Sequence, residues 1–273
     1  MKKVLIVILN YKTYEMTIEL INELKHIDNN LFDIMIIDNH SPNDSASILK
    51  KYSKEHDCIF YENTINSGYA SGNNIGIRYG IQNSYQYSLI MNNDLKIIDS
   101  NFIQVLINAI ENDDIACVGP KIIDLDGNAV APYLNRPSFF SLTLGIKKEK
   151  EFRKRYIDKP SYVYRLFGCC MLLRNSAMEV VDCMDESTFL YCEEEILAER
   201  LLKFGFKSYY CPKTSIIHME SSTVKKEGSR LTKNRIQPIM ESMEIYLKKY
   251  RCFNILQVKI CQLIRLLIIL KRG

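Results

Sequence analysis

The chain has 273 residues, of which 47% are hydrophobic and 25% are charged, and this balance excludes a disordered or fibrous protein. The length fits one large domain or two small ones. The formal net charge of +4 is too weak to indicate a nucleic acid partner, and none is expected. Nine cysteines without a C-x-x-C pair indicate free thiols in a reducing cytoplasm.

The first half of the chain alternates between short apolar runs and segments of helical periodicity. The N-terminal run is too short for the apolar region of a signal peptide, so we interpret it as a buried first strand. The alternation predicts an α/β fold with a mostly parallel sheet and helices on both faces. The predicted strands are residues 4–9, 33–38, 58–61 and 87–91, and the predicted helices are residues 14–27, 44–54, about 69–82 and 99–111.

Each of these strands ends in polar residues. In such a sheet, ligands bind beyond the carboxyl ends of the strands, so four polar ends at one edge favour a binding site. The alternative is a set of ordinary turns, because Asn and Asp also terminate strands. The residues concerned are Asn10 and Tyr11, Asp38 and Asn39, Asn63, and Asn92 to Asp94.

The second half is less regular. Residues 124–128 predict a hairpin turn, and residues 162–173 are strand-like. Residues 192–204 predict a helix that ends at Gly205, followed by short strands at 207–211 and 215–218. The charge run at 147–155 (KKEKEFRKR) is typical of a solvated loop or helix face.

Several motifs, taken in order, resemble the family 2 glycosyltransferases with the GT-A fold, and above all their bacterial rhamnosyltransferase-like branch. The resemblance covers residues 2–222. It is carried by VILNY (7–11), IDN-x-S (37–41), NSGYA-x-GNN-x-G (66–76), MNND (91–94), FGCCMLLR (167–174), DE-x-x-FLY-x-EE (185–194), Arg200, Pro212 and His218. Two departures are Asn93, where the family usually has an acid or Asn-Pro, and Glu194, where it usually has Asp.

The resemblance implies a GT-A domain at residues 1–222 and a C-terminal helical tail at 223–273. Residues 1–118 would form the nucleotide-binding half of the domain, and residues 119–222 the acceptor-binding half.

The resemblance also implies how the donor is held. Asp94 and His218 would bind Mg²⁺ or Mn²⁺, and Asp38 would accept the N3–H of a pyrimidine base. For His218 a partly buried structural histidine is an equally good reading, and for Asp38 so is a helix cap or turn. The other implied donor-binding residues are Asn10, Tyr11, Asn39, Gly68, Asn73, Asn74, Asn92 and Asn93.

Three glycines in this region, Gly68, Gly72 and Gly76, fit neither the dinucleotide fingerprint nor the P-loop. Their spacing of four residues places them on one face of a helix. Close packing of that helix on the sheet is the alternative to an approach of the backbone to the nucleotide.

Three consecutive glutamates, Glu193 to Glu195, open the helix at 192–204. Acids at a helix start are favoured by the helix dipole, so capping is the plain interpretation. Mutual repulsion would also raise one pKa toward the range of a general base. Successive helix residues point about 100° apart, so we expect only one to face the site. By resemblance Glu194 is the base, Glu193 orients it or binds the acceptor, and Gly168 and Cys169 form a wall of the acceptor site.

The C-terminal tail is basic and rich in aliphatic residues. Lys259 and Arg265 interrupt its apolar run, so a membrane span is not expected. A basic amphipathic helix on the inner face of the membrane fits the pattern. A core helix or a homodimer contact is the alternative. We expect a chain ending at Tyr246 to fold.

Together these interpretations predict a metal-dependent inverting glycosyltransferase of cell-surface polysaccharide synthesis, cytoplasmic and peripheral on the inner membrane. The donor would be dTDP-rhamnose or a UDP-hexose, and the acceptor a lipid-linked glycan or an oligosaccharide. A non-catalytic sugar-nucleotide-binding subunit of an assembly complex is the alternative, motivated by Asn93 and by Ile196, where the family often has Asp.

Overall fold

The structure, a computed structural model, describes residues 3–27, 30–219 and 233–270. Its centre is one sheet flanked by helices. The strands are β1 (Val4–Asn10), β2 (Phe32–Asp38), β3 (Ile59–Glu62), β4 (Tyr87–Asn92), β5 (Leu95–Ile97), β6 (Ile115–Ile123), β7 (Ser161–Val163), β8 (Cys170–Arg174) and β9 (Lys207–His218). The helices are α1 (Tyr14–Lys25), α2 (Ser45–Glu55), α3 (Tyr69–Gln82), α4 (Phe102–Ala109), α5 (Phe139–Leu142), α6 (Ile146–Lys154), α7 (Asn175–Val180), α8 (Glu193–Lys203), α9 (Lys233–Ile245) and α10 (Ile255–Leu270).

The sheet has the order β3-β2-β1-β4-β8-β6-β9-β5, with β7 paired to β9. Strands β1 to β4 are parallel, as the alternation of strands and helices predicts. Asn10 lies opposite Asp38, and Leu9 lies opposite Asn92, so the polar strand ends reach the same edge. The predicted fold class is confirmed.

The second half completes the sheet in a way that the sequence analysis describes only in part. Strand β6 is absent from the predicted elements, although its run IACVGPKII is almost wholly buried. The strand-like stretch at 162–173 divides into β7 and β8, and the two short strands after Gly205 join into the long strand β9. A register shift opposite Pro120 and Lys121 lets β9 continue past its own Pro212.

Helix α3 packs on β1 through its glycines. An added Cβ at Gly72 would lie 2.6 Å from Leu9 Cδ1, and one at Gly76 would lie 2.4 Å from Val7 Cγ1. These two positions therefore have the packing role that was the alternative for them, because any side chain there would push the helix away from the sheet.

The C-terminal helices pack against the sheet domain. Val258 and Cys261 of α10 are fully buried in one cluster with Ile196 of α8. A π-helical turn, Tyr246–Tyr250, follows α9 and leads to α10. Lys249 Nζ in this turn donates to Asp185 Oδ2 at 2.7 Å. The expectation that a chain ending at Tyr246 folds is at odds with this packing. The predicted boundary at 222/223 lies outside the described residues.

Within the described part of the chain, none of the helices has both the length and the apolar character needed to cross a membrane.

Candidate active site

Asp38, at the end of β2, is fully buried and accepts three hydrogen bonds from within the protein. Asn10 Nδ2 donates to Asp38 Oδ2 at 2.8 Å, and the backbone N–H and hydroxyl of Ser41 donate at 2.8 and 2.7 Å. The bonds from Ser41 are those of a turn that Asp38 closes, which was the alternative to recognition of a base by this carboxylate. The neighbouring Tyr11 is 39% exposed, so its ring offers the accessible surface at this edge.

The loop between β3 and α3 is held by amides. Asn39 Nδ2 donates to Asn66 Oδ1 at 2.9 Å, and Asn63 Nδ2 donates to Asn39 Oδ1 at 3.0 Å. Gly68 follows with a φ of +99°, and a Cβ there would lie 2.1 Å from the carbonyl oxygen of Phe189. Only glycine fits this position, where loops of the two halves of the chain touch.

Asn73 and Asn74, predicted to bind the nucleotide, have no exposed surface. Asn74 bonds to the backbone N–H and carbonyl of Met184 and to Glu186, and so fixes the loop before α8. Asn73 Nδ2 donates to the carbonyl of Tyr69 in its own helix. Asn74 is thus fully engaged within the protein, whereas the buried Oδ1 of Asn73 has no hydrogen-bond partner in the described structure.

The two predicted metal ligands, Asp94 and His218, are brought together by strand pairing. The pairing of β5 with β9 sets Leu95 opposite His218, and His218 Nε2 lies 3.2 Å from Asp94 Oδ1. Asn93 faces away from this pair, because its amide donates to Thr13 Oγ1 at 2.8 Å and Thr17 Oγ1 at 2.9 Å. Sequence positions 124 residues apart thus form one carboxylate–imidazole pair (218 − 94 = 124).

That pair fits a divalent cation. Neighbouring ligands that lie about 2.1 Å from a metal and at right angles are about 3 Å from each other, close to the observed separation. No group of three or more Asp, Glu, His or Cys side chains able to hold a metal is found in the described residues. A cation here would therefore need oxygens from a ligand or from water to complete its coordination.

The three glutamates at the start of α8 have three different environments. Tyr191 and Cys192, just before them, both have positive φ, at +77° and +65°. Such backbone strain in non-glycine residues clusters at functional sites. Glu194 Oε1 accepts the Gly168 N–H at 3.1 Å, Glu195 Oε1 pairs with Arg165 Nε at 2.9 Å, and Glu193 is 4% exposed with no hydrogen bond to its Oε1 in the described structure.

These environments set the protonation of the cluster. Burial, and next the charge of Glu194, raises the pKa of Glu193 to about 8. Burial also raises the pKa of Glu195, and the charge of Arg165 opposes that effect. Glu193 is therefore mostly protonated at neutral pH and able to donate a hydrogen bond.

A cavity of about 690 Å³ lies beside the start of α8, between the sheet and the C-terminal helices. All three glutamates line it, whereas the sequence analysis expects only one of them to face the site. Gly168 and Cys169, which the sequence analysis expects to form a wall of the acceptor site, also line it, together with Asn92. A Cβ at Gly168 would lie 2.8 Å from Glu194 Oε1, so only glycine leaves that carboxylate in place.

Two further residues shape this cavity and were not among the predicted site residues. The hydroxyl of Tyr69 donates to the Gly168 carbonyl at 2.6 Å and links α3 to the wall of the cavity that contains Gly168. Arg165 holds Glu195 and stacks on the ring of Tyr133, 3.5 Å from its centroid. Tyr69 lies inside the NSGYA motif at residues 66–70, so the sequence could have indicated it. Nothing in the local pattern around Arg165 indicates its pairing with Glu195.

Comparisons with solved structures agree with this architecture. The mannosyltransferase PcManGT from Pyrobaculum calidifontis, solved with GDP-Man and Mn²⁺, superposes with a TM-score of 0.65 at 11% identity, over 95% of this chain and 69% of that chain. TarS 1-349 of S. aureus, solved with UDP-GlcNAc, gives 0.60 at 14% identity, over 90% and 67%. At this identity the likeness shows the fold alone, which is GT-A.

Similar sequences include two glycosyltransferases at 24% identity. One is the low-salt glycan biosynthesis hexosyltransferase Agl10 of Haloferax volcanii, matched over 78% of this chain and 66% of its own. The other is the dTDP-rhamnosyl transferase RfbF of Shigella flexneri, matched over 73% and 62%. The chain thus spans slightly less than two thirds of the length of these curated relatives. A profile of Glycosyl transferase family 2 matches residues 4–181, more than half of the sequence, and this chain therefore belongs to that family.

Proposed function

We propose that this protein is an inverting, metal-dependent glycosyltransferase that moves a hexosyl group from a nucleotide-diphosphate sugar to a glycan acceptor. The observation that carries the proposal is the pair of Asp94 and His218 at the edge of the sheet, with the Glu194 carboxylate fixed at the acceptor cavity. Membership in glycosyl transferase family 2 supports the reaction class.

The donor would lie along the carboxyl ends of β1, β2 and β4. Tyr11 is the accessible ring for a base, and Asn92 borders the cavity into which the sugar would project. We propose dTDP-rhamnose as the donor and a UDP-hexose as the second choice. The name of the Shigella relative, a dTDP-rhamnosyl transferase, supports this order.

Asp94 and His218 would hold Mg²⁺ or Mn²⁺, with the donor diphosphate and water as the remaining ligands. When bound, such a cation neutralises charge on the leaving diphosphate. The neighbours solved with Mn²⁺ include GalNAc-T7, which has a TM-score of 0.65 at 15% identity, over 92% of this chain and 49% of that chain.

Glu194 would take the proton of the acceptor hydroxyl. The Gly168 N–H donates to one oxygen of its carboxylate, and the side chain lines the cavity. Glu193, largely protonated, is suited to donate a hydrogen bond to an acceptor oxygen rather than to accept a proton. This division of roles keeps Glu194 as the base and Glu193 as an acceptor ligand.

The acceptor would be lipid-linked, and the enzyme would work on the inner face of the membrane. Helix α10 buries Val258 and Cys261 and leaves Leu256, Leu263 and Leu267 exposed. An apolar stripe beside lysines and arginines is the pattern of a helix that lies on an anionic membrane. A mycobacterial relative, 39% identical over 67 residues, 24% of this chain and 22% of its own, is named as an N-acetylglucosaminyl-diphospho-decaprenol L-rhamnosyltransferase.

The test is hydrolysis and transfer with purified protein, dTDP-rhamnose or UDP-glucose, and added Mn²⁺. Donor hydrolysis should require Mn²⁺ and should fall at least about a hundredfold in Asp94→Asn, since the cation acts on the leaving group. The matched control is Asp126→Asn, in an exposed turn, which should react at the wild-type rate. Nucleotide binding with no hydrolysis of any donor would instead support the non-catalytic subunit.

A further inference from the structure

The charge run at 147–155 forms helix α6, and one face of that helix lines the acceptor cavity. The residues on that face are Ile146, Glu149, Lys150 and Arg153, at a spacing that places them on one side of a helix. The other lysines of the run, Lys147, Lys148 and Lys154, are not among the residues that line the cavity. The run is thus more than a solvated surface.

Arg153 is held at the cavity in an unusual way. Its guanidinium stacks on Tyr133, 3.8 Å from the ring centroid, while Arg165 lies 3.5 Å from the same centroid. Two guanidinium groups this close to one ring must occupy its opposite faces. Arg165 is neutralised by Glu195, but Arg153 has no ion pair among the described residues.

Two nitrogens of Arg153, Nε and Nη1, are buried and have no hydrogen-bond partner in the described structure. Buried donors on a charged group are costly when unpaired, so a missing acceptor is indicated at this point. Lys150 of α6 and Arg265 of α10 line the same cavity, and neither forms an ion pair within the residues described.

We propose that Lys150, Arg153 and Arg265 bind a phosphate or diphosphate group carried by the acceptor. The inference rests on the proposed function, since it concerns the second substrate of the same cavity. A guanidinium fork matches the oxygens of a phosphate, and three cations suit a diphosphate better than a single carboxylate. Asp94 and His218 are not among the residues that line this cavity, so in this proposal the acceptor phosphate has its own cations, apart from the metal that would hold the donor diphosphate.

The same wall also indicates what the phosphate is attached to. Leu142, Ile146 and Ile268 line the cavity beside the three cations. An apolar chain that leaves the phosphate would contact these residues on its way to the surface. We therefore commit to a prenyl or alkyl diphosphate as the acceptor carrier.

The experiment measures binding of geranyl diphosphate to the full chain by calorimetry in EDTA, so that no metal recruits the probe to the donor site. Geranyl diphosphate should bind, and Arg153→Gln and Lys150→Gln should each weaken it at least about tenfold, the cost of a lost charge-assisted contact. Geraniol should bind far more weakly, and inorganic pyrophosphate should bind more weakly than geranyl diphosphate.

Lys148→Gln is the matched control, because it removes the same charge from a position on α6 that does not line the cavity, and it should bind like the wild type. Lys150→Gln also guards against instability of Arg153→Gln, since Lys150 supports no ion pair in the described structure. Wild-type affinity in both cavity variants, equal loss in Lys148→Gln, or no binding to the wild type overturns the inference. If the wild type hydrolysed no nucleotide-sugar donor in the presence of Mn²⁺, that result would instead refute the proposed function.

Discussion

The protonation of Glu193 leads to a stability prediction that separates the roles of the glutamates. Burial raises its pKa from 4.5 to about 8, so the folded protein holds a proton there that the unfolded chain releases above its own, lower pKa. Because the folded state binds more protons in this window, the free energy of unfolding must fall as the pH rises from about 4.5 to about 8. The side chain in Glu193→Gln cannot titrate, so this variant should lack that part of the pH dependence of the free energy of unfolding.

The magnitude follows from the two pKa values. Each pH unit within the window is worth about 1.4 kcal/mol for one proton. As the pH rises from about 5.5 to about 8, the free energy of unfolding of Glu193→Gln should therefore increase by on the order of 3 kcal/mol relative to that of the wild type.

Urea unfolding of both proteins at about pH 5.5, 7 and 8.5 would measure the difference. The matched control is Glu151→Gln on the exposed side of α6; the pKa of Glu151 is lowered by Lys154, so it titrates below this window. A difference between Glu193→Gln and wild type that does not change with pH would show that Glu193 is ionised in the folded protein. The argument against Glu193 as the base would then fail.

Three other predictions concern the cavity and the tail. Glu194→Gln should bind donor normally but transfer sugar at least about a hundredfold more slowly, and a dead Glu193→Gln with an active Glu194→Gln would move the base by one residue. Gly168→Ala should lower kcat by about tenfold or more without changing donor affinity, because its Cβ displaces Glu194; an unchanged kcat would count against that contact. A chain cut after Tyr246 should lose its cooperative thermal transition, because Ile196 is left uncovered; a transition within a few degrees of the full chain would contradict this.

Strands β1 to β4, helices α1 to α4 and the family could be predicted because they depend on local patterns. Alternating apolar runs in the first half predict a parallel sheet, and polar residues at the strand ends indicate the edge where a ligand is expected. Motif resemblance indicates Asp94 and His218 as metal ligands. Their short distance depends on the pairing of β5 with β9, which no local sequence pattern predicts. Strand β6 was missed although it is buried, since a short apolar run does not identify its own partners.

Burial decided the roles that the sequence left open. The resemblance implies Asn73 and Asn74 as nucleotide ligands, but the structure buries both, and Asn74 is bonded to Met184 in a distant segment. Glu193 and Glu194 are adjacent in sequence and identical in chemistry, and only the tertiary structure makes one a buried, protonated acid and the other a carboxylate bonded to Gly168. Sequence determines which groups are present and their local geometry. Protonation and accessibility depend on which distant residues exclude water from each group, and those are set only when the chain is packed.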